Sequence, residues 1–272
     1  MLVATCNVNG IRAAVRKGMR RWLDGSAPDV LLLQEVRAPE ELVPDLIGAE
    51  YKTVVCESVL KGRAGVAAAV RRDLEIGDVR YALAPDSDAG EPDVDTGRWI
   101  EIDVPEYRTT FVSAYLHSGV ADRPEKMAAK YAHLERVSKR LAELRDSRPL
   151  PHLLVCGDFN IVHTEQDIKN WKSNHNRTAG VLDSEIAYLD RWISDFGYAD
   201  VQRILAPDSP GPYTWWSNRG QAFDRDTGWR IDYHLADMQL ALRAADFRID
   251  RAQSYGQRWS DHAPLLVTYR EE

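Results

Sequence analysis

The chain is poor in cysteine: 272 residues contain three, Cys6, Cys56 and Cys156. An odd number without zinc-type spacing excludes a disulfide framework and a cysteine-based zinc finger. Each sits in an apolar, strand-like run and reads as a small buried side chain, which suits a reducing cytoplasm. No hydrophobic run approaches the length of a membrane span. No basic segment followed by an apolar one opens the chain, so no secretory signal is expected. Lysine is also sparse, with 27 Arg against 8 Lys; Arg suits phosphate recognition, although genome composition can produce the same bias. A positive net charge is missing as well. The value of −7 argues against nonspecific coating of nucleic acid, but not against a nuclease, whose metal site consumes several acids. No low-complexity linker divides the chain, so residues 1–272 are expected to form one domain.

What is present is a succession of strand-like segments, at 2–7, 29–35, 52–57, 65–71, 99–104, 109–116, 152–158, 229–236 and 263–269. Continuous apolar runs such as Val30-Leu31-Leu32-Leu33 and Leu153-Leu154-Val155 predict strands covered on both faces. Residues 99–104 alternate instead. Helices are predicted at 11–23, at 124–145 behind Pro124, and at about 184–195 with Ser184 as N-cap. Loops fall at 85–97, 164–183 and 206–228. Charge is uneven: Arg12, Arg16, Lys17, Arg20 and Arg21 form a basic run, and Asp86, Asp88, Glu91, Asp93 and Asp95 an acidic one.

Several strands end in chemically useful residues. Leu2 to Asn9 and Leu153 to Asn160 share one shape, an apolar strand finishing in x-Asn/Asp-x-Asn. This predicts two similar halves packed sheet to sheet, with their strand ends meeting along one edge. In Gly157-Asp158-Phe159-Asn160, period two points Asp158 and Asn160 the same way; the alternative is an Asx turn. Asn7 and Asn9 share a face likewise, or else initiate the turn at Gly10. Glu35 closes a buried strand and suits a hard cation such as Mg²⁺, or else caps the strand in solvent. Asp261-His262 stands at the mouth of the last strand, where such a pair holds a proton or a positive charge against a phosphate. Asp232 lies in an apolar run and needs a partner, either Arg230 or a histidine. His234 reads as structural. Tyr115 either packs or donates to a phosphate oxygen. His117 and His163 have no zinc-type spacing. Tyr213, Trp215, Trp216, Phe223 and Trp229 supply core aromatics or a surface that receives an extruded sugar or base.

These motifs together resemble the exonuclease III family of DNA-repair nucleases. The resemblance rests on Cys6-Asn7-Val8-Asn9-Gly10-Ile11-Arg12, Leu33-Gln34-Glu35, Ser113-Ala114-Tyr115, Gly157-Asp158-Phe159-Asn160, Asn170-Trp171-Lys172, Trp229-Arg230-Ile231-Asp232-Tyr233 and Ser260-Asp261-His262-Ala263-Pro264-Leu265, in family order from residue 2 to about 267. It implies an α/β fold, a four-layered sandwich of two packed mixed sheets with helices on the outer faces. It implies Mg²⁺ (or Mn²⁺) and a double-stranded DNA substrate with abasic or 3′-blocked sites, cut 5′ of the abasic site or degraded 3′→5′. A cytoplasmic monomer with no membrane association is expected. By resemblance, Glu35 is a metal ligand with Asn7 and Asp261 near the metal. Asp158 activates the attacking water, Asn160 and Tyr115 contact the phosphate, and His262, oriented by Asp232, binds it. Asn9, Arg12, Trp215, Trp229 and Ile231 belong to the DNA and abasic-sugar pocket. Two departures stand out: Ser118 replaces an amide residue, and the 173–180 loop carries one Arg and no Lys. The competing functions are a phosphatase of the same fold acting on lipid or inositol phosphates, and a DNA-binding module without catalysis.

Overall fold

The apolar runs pair into two six-stranded sheets in a computed structural model that describes residues 1–81, 83 and 91–271. The acidic residues Asp86 and Asp88 lie outside the described residues. The strands are β1 (Leu2–Asn7), β2 (Val30–Gln34), β3 (Tyr51–Cys56), β4 (Val66–Arg71), β5 (Val79–Arg80), β6 (Trp99–Val104), β7 (Thr109–Tyr115), β8 (His152–Asp158), β9 (Tyr198–Asp200), β10 (Asp232–Asp237), β11 (Ala244–Ile249) and β12 (Leu265–Tyr269). One sheet runs β11-β12-β1-β2-β4-β3 and the other β5-β6-β7-β8-β10-β9. β1 pairs with β2 and β7 with β8 in parallel, and the remaining named pairs are antiparallel.

Alternation along each strand sorts side chains into three apolar layers. Val3, Val30, Leu32, Val66 and Val267 face Ile100, Ile102, Phe111, Leu154 and Cys156 between the sheets. The opposite face of the first sheet, Ala4, Cys6, Leu31 and Leu33, packs on three helices: α1 (Ile11–Arg16), α2 (Met19–Ser26) and α3 (Val43–Ile47). The opposite face of the second, with Val112, Leu153, Val155 and Leu235, packs on α4 (Pro124–Asp146) through Leu134, Val137, Leu141 and Leu144. The result is the expected four-layered α/β sandwich. All three cysteines are buried and free. No helix among the described residues is long and apolar enough to cross a membrane.

The differences from the sequence reading are local. The helix expected at 11–23 is two, because Gly18 takes a φ of 114°, a conformation a continuing helix cannot use. Ser184 does not cap its helix. The Glu185 carboxylate accepts from the Gly180 and Leu182 amides instead, and Ser184 hydrogen-bonds Tyr131. The strand expected from 229 begins at Asp232, because the backbone of Trp229 and Arg230 bonds Trp215 and Asp167 instead of β8, while the Arg230 side chain turns inward onto Asp167 and Asp200. That fully buried pairing also answers the Asp232 question: Arg230 is not its partner. β5, β9 and β11 escaped notice because they are short or carry too few apolar residues to alternate visibly. The alternating 99–104 segment is buried on both faces, since Arg80 and Arg140 pair with Glu101 and Arg80 with Asp103.

Candidate active site

β1 and β8 end side by side although they belong to different sheets. Asn7 Nδ2 donates to Asp158 Oδ2 at 2.9 Å, so the two look-alike strand ends meet. Asn160 adds two bonds to the same carboxylate, from its backbone amide at 2.9 Å and from Nδ2 at 3.1 Å. The second Asn160 amide hydrogen goes to the Leu116 carbonyl at 3.0 Å. Asp158 is thus gripped by three donors and is buried. Gly157 makes this possible. Its φ is 146°, and a Cβ there would lie 1.9 Å from the Ala114 carbonyl oxygen on the neighbouring strand β7. A Gly157→Ala substitution is expected to cost about 1–3 kcal/mol by overpacking and to lower activity with it. Thermal unfolding and initial rates on the same preparation check this; an unchanged Tm would refute the crowding argument.

His262 lies opposite. Its Nδ1 bonds Asp232 Oδ2 at 2.8 Å, and its Nε2 sits 3.7 Å from Asp158 Oδ2. Asp232 is held by its position on β10 and its backbone amide, which donates to the buried Thr214 hydroxyl. Burial works to discharge the imidazole. The charges of Asp232 and Asp158 and the Asp232 hydrogen bond outweigh it, and His262 is pushed up to about 10. Burial raises the Asp158 carboxyl, against the charge of His262.

Glu35 and Asp261 close the ring. Tyr115 donates its hydroxyl to Glu35 Oε1 at 2.5 Å, and Arg37 bonds Oε2. Asp261 accepts from Asn9 Nδ2 at 2.9 Å and Trp215 Nε1 at 3.1 Å, and the charge of His262 helps to keep its pKa low despite burial. Glu35 has a φ of 50°, a left-handed backbone that a Glu seldom adopts and that clusters at functional sites. Glu35, Tyr115, Asp158, Asn160, Asp261 and His262 line one cavity of about 590 Å³, whose walls also include Trp215, Trp229, Ile231 and residues 118–122 and 177–179. The two indole rings stand edge to face at 5.4 Å.

Twelve of the thirteen residues singled out from sequence therefore line this cavity directly or hold a residue that does, and their positions refine several expectations. Asn7 grips Asp158, and Asn9 grips Asp261. Asp232 sits behind His262. Both amide hydrogens of Asn160 are spent on Leu116 and Asp158. Arg12 stands apart, exposed in a neighbouring groove with Arg37, Lys61 and Arg63. His234 is buried against the Tyr269 hydroxyl at 3.0 Å. The sequence reading missed Ser260, which donates to the Asn7 carbonyl at 2.6 Å and accepts from the His262 amide. It also missed Lys130, fully buried on α4, which bonds the Asn160 and Ser118 carbonyls and pairs with Glu185. Lys130 was detectable: it falls three residues after Met127 and four before Leu134, on the apolar face of its helix.

The donor set fits a hard divalent cation. Three carboxylates, of Glu35, Asp158 and Asp261, line the one cavity. Burial, with the charges of Glu35 and Asp158, pushes the Tyr115 hydroxyl well above its ordinary range.

Two mixed sheets packed face to face, with a carboxylate–imidazole pair and further acids gathered at one edge, define a hydrolase of the nuclease type. The chain belongs to the endonuclease/exonuclease/phosphatase family, whose profile matches residues 4–262. It is 32% identical to an exodeoxyribonuclease of Bacillus subtilis, over 97% of this chain and 98% of that one. It is 30% identical to the DNA repair nuclease APEX1 of Danio rerio, over 98% and 81%. Among solved structures, an AP endonuclease from Archaeoglobus fulgidus superposes with a TM-score of 0.81 at 28% identity over 99% of both chains. The 3′ phosphatase NExo from Neisseria, bound to a product DNA hairpin, does so with a TM-score of 0.85 at 25% identity over the full length of both.

Proposed function

We propose that this chain is a metal-dependent DNA-repair nuclease that hydrolyses the phosphodiester bond 5′ of an abasic site and removes nucleotides 3′→5′ from duplex DNA. The observation that carries the reading is the meeting of Asp158 and His262 across one cleft beside Trp215, Trp229 and Ile231. The apolar wall suits an extruded, baseless sugar, and the carboxylate–imidazole pair suits the adjoining phosphate.

In this reading Asp158 accepts the proton of a water that attacks phosphorus in line with the leaving 3′ oxygen. Asn7 and Asn160 fix the carboxylate for that transfer. His262, cationic and oriented by Asp232, holds a nonbridging oxygen through Nε2–H as negative charge grows there. Tyr115 and Asn160 reach the phosphate by giving up one of their present bonds. Glu35, with Asp261 and Asn7, would hold Mg²⁺ or Mn²⁺, and a cation bound there supplies positive charge for the phosphoryl and leaving oxygens. Arg177, on the 173–180 loop at the cavity rim, and Arg12 in the next groove would contact backbone phosphates.

The test is a labelled duplex carrying one abasic-site analogue, incubated with Mg²⁺, with Mn²⁺ and with EDTA. A single cut 5′ of the analogue, abolished by EDTA and restored by Mg²⁺, is expected. Binding without cleavage in every buffer, or faster hydrolysis of a phosphoinositide than of the duplex, would replace this function with one of its competitors.

A further inference from the structure

A second group of ligand-type side chains lies outside the catalytic cavity. Asp95, His117 and His133 come from a loop, from the segment after β7 and from α4, and all three are buried. Each presents one donor atom, and the three atoms fall within 4.8 Å of one another. Asp95 Oδ1 is 2.5 Å from His117 Nε2 and 3.6 Å from His133 Nδ1. The imidazoles meet edge to face at 4.8 Å rather than stacking. Donors about 2.0–2.1 Å from a tetrahedral Zn²⁺ stand roughly 3.3 Å apart, a value these separations bracket.

The group also leaves polar atoms unpaired. Neither ring nitrogen of His133 has a hydrogen-bond partner, although the side chain is fully buried. An orphaned buried imidazole is costly and calls for an explanation. Glu91 Oε1, from the same loop, is buried without a partner as well. Arg136 takes Asp95 Oδ2 at 2.6 Å. That contact leaves Oδ1 turned towards the imidazoles, as outer partners commonly orient a ligating carboxylate.

We propose that Asp95, His117 and His133 form a structural Zn²⁺ site that ties the loop before β6 to α4 and to the wall of the catalytic cleft, with a water as the fourth ligand. Two imidazole nitrogens and one carboxylate oxygen select zinc over magnesium, which favours an all-oxygen shell. The site bears on catalysis only through position. His117 precedes Ser118 of the cleft wall, and Arg98, three residues beyond Asp95, lies over the Tyr115 ring at 4.7 Å. Spacing along the chain conceals the group because its ligands are sixteen and more residues apart.

Uptake of Co²⁺ and Zn²⁺ by the EDTA-dialysed full chain tests this without recourse to activity. One equivalent of Co²⁺ is expected to produce the intense visible absorption of a four-coordinate site, bleached by one equivalent of Zn²⁺. The signal should persist in Glu35→Gln, which alters the catalytic cleft. It should vanish in His133→Gln and His117→Asn, with Zn²⁺ affinity at least about 10–100-fold weaker, the range for losing even an outer-shell partner. Zn²⁺ should raise the Tm of the wild type and leave that of His133→Gln unmoved. If the variants fail to fold, the wild-type and Glu35→Gln spectra decide. Absence of a four-coordinate signal in the wild type, its loss in Glu35→Gln, or its survival in a folded His133→Gln would overturn the site.

Discussion

Asp158→Asn is expected to lower abasic-site incision by about 10²–10⁴-fold, the usual worth of a positioned general base. The amide preserves size and cannot take a proton from water. The loss should fall on kcat, because Asp158 is buried behind its three donors and makes its contribution as the water is deprotonated. Single-turnover rates at saturating enzyme, with DNA affinity measured separately, make the separation. Burial raises the Asp158 carboxyl, so the wild-type rate should fall on the acid side as that group protonates, and the residual rate of Asp158→Asn should lack this acid limb. A variant that cuts within a few-fold of the wild type would assign the proton to another acceptor.

His262→Ala should cost about 10²–10³-fold, the scale for one preorganised donor at a developing anion. Its pH behaviour is more diagnostic. The folded-state pKa, about 10, lies above the ordinary histidine value of 6.5. The unfolded chain therefore loses this proton at lower pH than the native protein does. The stabilisation is complete below about 6.5 and disappears as pH rises through about 10. The rate should share that upper limb. Asp232→Asn removes the attractive charge and leaves only a neutral acceptor for Nδ1, so it should shift the limb towards neutrality while sparing the rate at low pH. Rate and thermal stability measured from pH 6 to 10.5 for both proteins check this. An unmoved limb would show that Asp232 acts only as a spacer.

The strand ends were readable in advance because period two is a local property. Asp158 and Asn160, or Asn7 and Asn9, share a face whatever the rest of the chain does. The same reasoning failed where a neighbour far along the chain decided the outcome. Arg230 was offered to Asp232, two residues away on the same face, but it reaches Asp167 and Asp200 through the second sheet. His117 looked solitary until α4 brought His133 beside it. Lys130 went unremarked, and only the packing of its helix on the second sheet made it the clamp beneath Asn160.

By itself the sequence determined which segments become buried strands, which chemical groups terminate them, and the family to which their order points. Those properties follow from side-chain alternation and residue identity along a few positions. Tertiary structure alone decided which group grips which: Asn7 on Asp158 across 151 residues, Asn9 on Asp261 across 252, and Asp232 on His262 between the two sheets. Hydrogen bonds and pKa values depend on separations of a few ångströms and on exclusion of water. Both are properties of the packed sheets, and no linear spacing encodes them.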